Sequence, residues 1–158
     1  MSRERGDFTT TIVVDQSPSE VFEAIVNVRG WWSKGIVGPT EQLDDEFLFE
    51  VEGIHRTTQR LVEVVPDQRV VWLVTDACMT FLEDEREWVG THVIFDISEK
   101  DGRTQLAFTH EGLAPGVECF DACAPAWTQY VQISLFNLIT TGVGNPNLEG
   151  STIEVSTR

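Results

Sequence analysis

Residues 8–30 read F-T-T-T-I-V-V-D-Q-S-P-S-E-V-F-E-A-I-V-N-V-R-G, and the order of the fold starts from this stretch. Phe8 to Val14 is rich in β-branched residues and predicts a first strand that stops at Asp15-Gln16. A helix start follows at once. Ser17 offers an N-cap, Pro18 stands at the first helical position where its missing N–H costs nothing, and Glu20 can reach back as the capping-box partner. Val21, Phe22, Ile25 and Val28 then make one apolar stripe, and Gly30 is expected to end the helix.

Moving outward, Trp31-Trp32-Ser33 lies at a helix-to-loop corner, and the pattern between Glu46 and Thr109 changes to short strands. Phe47–Val51, Arg60–Val65, Val70–Thr75, Thr91–Ile97 and Thr104–Glu111 are each β-rich. Pro66-Asp67 and Lys100-Asp101-Gly102 are explicit turns between them. Sequential strands joined by short turns predict an antiparallel meander. The last element is a helix expected to open at Pro125 and close at Gly142, about 26 Å long. At 100° per residue Trp127, Val131, Leu135 and Leu138 fall on one line, flanked by Tyr130, Ser134 and Ile139. Ile133 and Phe136 fall on the opposite face, where they offer a homodimer contact or a seat for the tail.

This order of elements resembles the helix-grip fold of the START-like, or SRPBCC, superfamily. Thr10 to Phe22 resembles that superfamily's opening strand and helix start, and Trp31-Trp32-Ser33 resembles the tryptophan pair that often follows. Leu106–Leu113, L-A-F-T-H-E-G-L, with Trp127, Ser134-Leu135, Leu138 and Thr141-Gly142, is similar to the branch named after the activator of the heat-shock protein 90 ATPase. The resemblance implies an α+β helix-grip fold: an antiparallel curved β-sheet wrapped around a long C-terminal α-helix, with an internal pocket. Residues 1–145 are expected to form one domain and 146–158 a tail.

Strand parity predicts which side chains face that interior. The inward sets are Phe47, Phe49 and Val51, then Val70, Trp72 and Val74, then Val93, Phe95 and Ile97, and finally Leu106, Phe108 and His110. The expected ligand-lining residues are Phe49, Trp72, Phe95, Phe108, His110, Trp127, Tyr130, Val131 and Ser134. His110 is the one titratable group on an otherwise apolar face. It reads either as a hydrogen-bonded core histidine or as a polar anchor or proton donor working with Tyr130 or Ser134.

Composition narrows the function. The 158 residues carry 26 Asp+Glu against 11 Lys+Arg, a net charge of −15, so a nucleic-acid surface is not expected: phosphate needs clustered cations. Acids bunch at Asp44-Asp45-Glu46 and at Glu83-Asp84-Glu85 with Glu87, and both bunches read as solvated loop charge. No apolar run approaches a membrane span, and the first residues lack the apolar stretch of a signal peptide. Three cysteines, an odd number, predict reduced thiols and a cytoplasmic protein, and no metal-ligand spacing or cofactor motif occurs. The expected function is therefore binding of a small, largely apolar molecule in an internal cavity, with no catalytic residue and no cofactor. Two alternatives stand beside it: a cyclase, dehydratase or hydrolase acting on a polyketide-like or aromatic substrate through His110, and a co-chaperone-like protein-interaction module.

Overall fold

The computed structural model describes residues 7–51, 55–79, 88–113 and 120–146. The acidic bunch at 83–87, Cys119 and the tail beyond 146 lie outside the described residues. Strand β1 (Asp7–Val14) leads into helix α1 (Pro18–Val26) and a single turn α2 (Val28–Trp31). Strands β2 (Glu46–Val51), β3 (His55–Val65), β4 (Arg69–Met79), β5 (His92–Lys100) and β6 (Arg103–Glu111) follow. The chain closes on helix α3 (Phe120–Thr128), a π-helical stretch (Gln129–Leu135) and helix α4 (Phe136–Thr141), which run on from one another. The strands form one antiparallel sheet in the order β1-β6-β5-β4-β3-β2. This is the expected α+β helix-grip arrangement.

The local devices read from the sequence form as expected. Ser17 Oγ accepts from the Glu20 amide at 3.1 Å, and the Glu20 carboxylate accepts from the Ser17 amide at 2.9 Å, a complete capping box. Ser17→Ala should therefore lower stability by about 1 kcal/mol, read as a drop of roughly 2–4 °C in a thermal melt. The β5–β6 hairpin turns through Asp101 and Gly102, both at positive φ (53° and 81°), the backbone that a tight two-residue turn requires.

Three expectations need correction. Gly30 does not end the first helix: α1 stops at Val26 with Asn27 as C-cap, and Gly30 sits inside α2. Its role is close approach, because a Cβ there would stand 2.6 Å from Asn27 Nδ2 and 3.1 Å from Leu138 Cδ2. The C-terminal helix starts at Phe120, so Pro125 lies within its first turns and not at its opening. Cys123 is disulfide-bonded; an odd cysteine count forbids pairing all three but leaves two free to pair.

The π stretch decides which face of the last helix is inside. Cys123, Trp127, Val131, Leu135 and Ile139 are all buried at a constant spacing of four. In an α-helix each four-residue step overshoots a full turn by about 40°, so such a row would drift around the axis. The wider i→i+5 turns of the π stretch rotate the chain less per residue and cancel that drift. As a result Ile133 is exposed as expected, whereas Phe136 is only partly exposed and packs against the core.

Candidate functional site

Two bulges on the central hairpin set the inner surface. Between Thr58/Gln59 and Asp76/Val74 the register skips Thr75, and between Leu61 and Glu63 it skips Val62. Before Thr75 the inward residues of β4 are Val70, Trp72 and Val74; after it they are Ala77 and Met79. Without the extra residue the same parity would turn Asp76 and Cys78 inward, which would bury a carboxylate among aromatic rings. Strand β3 meanwhile buries Thr57, Gln59 and Leu61 and leaves Arg56, Thr58 and Arg60 on the other face.

The buried rings form a closed circuit above this surface. Trp32 stacks on Phe49 with centroids 4.3 Å apart, Phe49 meets the edge of His55 at 5.0 Å, and His55 meets Trp88 at 5.1 Å. Trp88 stacks on Trp127 at 6.1 Å, and Trp127 returns to Trp32 at 5.1 Å. Five rings from α2's C-cap, β2, β3, the turn before β5, and α3 thus converge, although the residues are far apart in sequence. Behind them Trp72, Phe95 and Phe108 pack in a row across β4, β5 and β6, with centroids 4.9 and 5.2 Å apart. Four of these seven contacts are edge-on, an arrangement that ring quadrupoles favour and that is worth about 0.5–1.5 kcal/mol per pair beyond area burial.

His110 sits against this circuit, 4.5 Å from the Trp88 ring and fully buried. The Trp127 indole N–H donates to His110 Nδ1 at 3.0 Å. Thr91 Oγ1 spends its one hydrogen on the Trp88 carbonyl at 2.7 Å, so its 2.8 Å contact with His110 Nε2 requires the ring N–H to be the donor. The network assigns the neutral Nε2–H tautomer. Burial, with the positive potential of His55 and His92 added, holds the His110 pKa down at about 3. Burial alone lowers His55 to about 4. His110 is thus an uncharged bridge between β6, the Thr91 turn and α3.

The sequence-expected residues separate into groups. Phe49 and Trp127 belong to the ring circuit, and Tyr130 flanks it with edge contacts to Trp32 at 6.3 Å and Trp127 at 6.1 Å. Trp72, Phe95 and Phe108 form the second layer, and Val131 is buried in the helix face. Ser134 is elsewhere: its hydroxyl donates to the Trp31 carbonyl and accepts from the Asn145 amide, each at 2.7 Å, tying α2 to the last helix and to the chain beyond it. Gly144 permits that junction, since a Cβ there would lie 2.3 Å from the Gly30 carbonyl.

Sequence reasoning missed His55, Thr57 and Gln59, because the run H-R-T-T-Q before Arg60 looks polar throughout, and Trp88, because it stands in a turn. Its parity carries a signal. Arg56 and Arg60 cannot both turn inward, so Thr57 and Gln59 must. A separate open groove of about 700 Å³ runs beside Phe22, Val26, Leu43 and Val64, rimmed by Glu23 and Glu41, and shares no residue with the rings. Among the described residues no group of three His, Cys, Asp or Glu is arranged to hold a metal, and no helix is long and apolar enough to cross a membrane.

The architecture is a helix-grip fold. Solved structures carry the likeness over most of the chain. The Aha1 dimer from Colwellia psychrerythraea shares 20% identity over 88% of this chain and 99% of its own, with a TM-score of 0.70. SSP2350 from Staphylococcus saprophyticus shares 15% over 90% and 98%, with a TM-score of 0.66, and Mll3558 from Rhizobium loti shares 20% over 80% and 92%, with a TM-score of 0.64. No protein-family model and no curated protein sequence matches the chain. At these identities the likeness is one of fold.

Proposed function

We propose that this domain, residues 1–145, binds a small, largely apolar molecule among the rings enclosed between the sheet and the C-terminal helix. The observation that carries the reading is the closed circuit of Trp32, Phe49, His55, Trp88 and Trp127, five rings brought from separate elements into mutual contact. Apolar walls with few converging polar groups select ligands by shape and leave reactive bonds untouched. The candidate lining is Phe49, Trp72, Phe95, Phe108, His110, Trp127, Tyr130 and Val131, with Ser134 set apart by its own hydrogen bonds.

The enzyme reading rests on His110 and loses support from its bonding. A general base needs a nitrogen within reach of substrate, and both nitrogens here are engaged by Trp127 and Thr91. A co-chaperone role has the likeness of folds behind it and nothing further. Self-association has a specific feature: Ile133 is 46% exposed on the last helix, and the Colwellia protein of similar fold is described as a dimer. The oxidised Cys123 withdraws the thiol argument for a cytoplasmic location, since disulfides persist mainly in oxidising compartments.

Native mass spectrometry of protein purified without detergent, followed by organic extraction, tests both parts. A retained small-molecule mass, or uptake of added pyrene or naphthalene, is the expected result; no retained mass and no uptake of either overturns the reading. The same spectra should show a dimer that Ile133→Asp converts to monomer. A monomer at every concentration removes self-association.

A further inference from the structure

The interior is not wholly apolar. Two buried polar atoms beside the ring circuit, Gln59 Oε1 and the Trp88 indole N–H, have no hydrogen-bond partner. Gln59 is fully buried and Trp88 is 4% exposed. Native proteins leave few such atoms, and each costs about 1–3 kcal/mol, so two in one neighbourhood call for a reason.

Their placement supplies one. Gln59 stands on the inner face of β3, where its amide nitrogen donates to Thr57 Oγ1 at 2.5 Å and is thereby drawn along the strand toward His55. Thr57 pairs across the sheet with Phe49 on one side and Ala77 on the other. His55, two residues further along, meets the Trp88 ring at 5.1 Å. Gln59 also pairs across the sheet with Val74, which is hydrogen-bonded to Gly90 and Thr91 of the turn that carries Trp88, so the two residues stand on adjoining parts of the sheet. If the amide is turned over, its oxygen accepts from Thr57 and its nitrogen becomes the unpartnered atom; one end of Gln59 remains unused in either orientation.

Resting on the binding reading above, we propose that Gln59 and Trp88 form its polar recognition point, and that the ligand is a neutral, flat aromatic molecule carrying a hydroxyl or a similar group that both donates and accepts. The indole N–H can only donate, so it takes an acceptor lone pair; the amide oxygen takes the hydrogen of the same group. Charge is excluded by the surroundings. Burying an ion costs several kcal/mol unless it is paired, and the titratable groups at this site, His55 and His110, are neutral. The flat body is selected by ring faces and edges, and the hydroxyl by two atoms that are unsatisfied without it. A ligand lacking that group leaves both unpaired, which gives polar sites far sharper discrimination than apolar ones.

Paired probes test this directly: 2-naphthol against naphthalene and 1-hydroxypyrene against pyrene, titrated by quenching of tryptophan fluorescence. The wild type should bind each hydroxylated probe at least tenfold more tightly than its parent hydrocarbon. Trp88→Phe keeps an aromatic ring, the double variant Thr57→Val, Gln59→Met keeps the volume, and each removes the polar atoms. Each should lower the preference to less than threefold while leaving hydrocarbon affinity within about twofold. The double variant replaces a buried pair and an unsatisfied atom by apolar groups, so its melting temperature should not fall. Equal affinity for hydroxylated and parent probes in the wild type, or a preference that survives in both variants, overturns the recognition point and leaves the binding reading standing. Failure of all four probes to bind the wild type overturns both.

Discussion

Trp32→Ala is expected to lower stability by about 3–5 kcal/mol, the range for removing a fully buried large aromatic side chain. Trp32 lies between the two halves of the interior. Its ring stacks on Phe49 at 4.3 Å and on Trp72 at 5.6 Å, meets Trp127 at 5.1 Å, and touches Phe47 and Tyr130 edge-on. Truncation leaves an indole-sized void whose walls belong to the sheet on one side and to the C-terminal helix on the other. Neither can close it without moving the other, so little relaxation is available. In a urea titration the midpoint should fall with little change in slope. Val143→Ala, at an exposed site, should stay within about 0.5 kcal/mol. A loss below 1 kcal/mol for Trp32→Ala would be incompatible with the ring packing described.

The second large effect is acid sensitivity. His55 and His110 are neutral in the fold, with pKa values lowered to about 4 and about 3, whereas each returns to about 6.5 in the unfolded chain. Unfolding therefore takes up protons at any pH between these values, and stability rises with pH across the window. The contribution is complete above about pH 7. Below about 6.5 each histidine removes up to about 1.4 kcal/mol per pH unit, so the pair should cost about 3–4 kcal/mol between pH 7 and pH 5. Denaturant midpoints measured at half-unit steps should show the slope, and His110→Gln should reduce it by about half whatever it does to stability at pH 7. A flat profile from pH 7 to 5 would mean that neither ring is buried neutral.

Several features were legible because they are written in neighbouring residues. The capping box at Ser17 and Glu20 needs only four consecutive positions, and the Asp101-Gly102 turn only two. On β5 and β6 strict alternation placed Val93, Phe95, Leu106, Phe108 and His110 inside, and the structure buries all five. The same rule placed Val70, Trp72 and Val74 of β4 inside, and the structure buries them, but it does not carry across the two bulges of the β3–β4 pair. There the extra residues Val62 and Thr75 shift the parity, and the bulge depends on how two strands meet. Gln59 was passed over because the polar run before Arg60 did not read as strand, and Trp88 because the turn before β5 has no period to read. The last helix shows a milder version: its inner line was found, but the side of Phe136 was misjudged because rotation at 100° per residue does not hold through a π stretch.

Sequence alone determined the order of the elements, the antiparallel meander and the aromatic character of the inner surface. Each follows from local periodicity and turn chemistry, which act over a few residues along the chain. The tertiary structure decided the rest: the neutral tautomer of His110, the separation of Ser134 from the rings, the closed circuit from Trp32 to Trp127, and the unused polar atoms of Gln59 and Trp88. Those are relations between groups tens of residues apart. They are set by which hydrogen bonds and ring contacts remain available once the sheet and helix have closed on one another, and no local pattern encodes that.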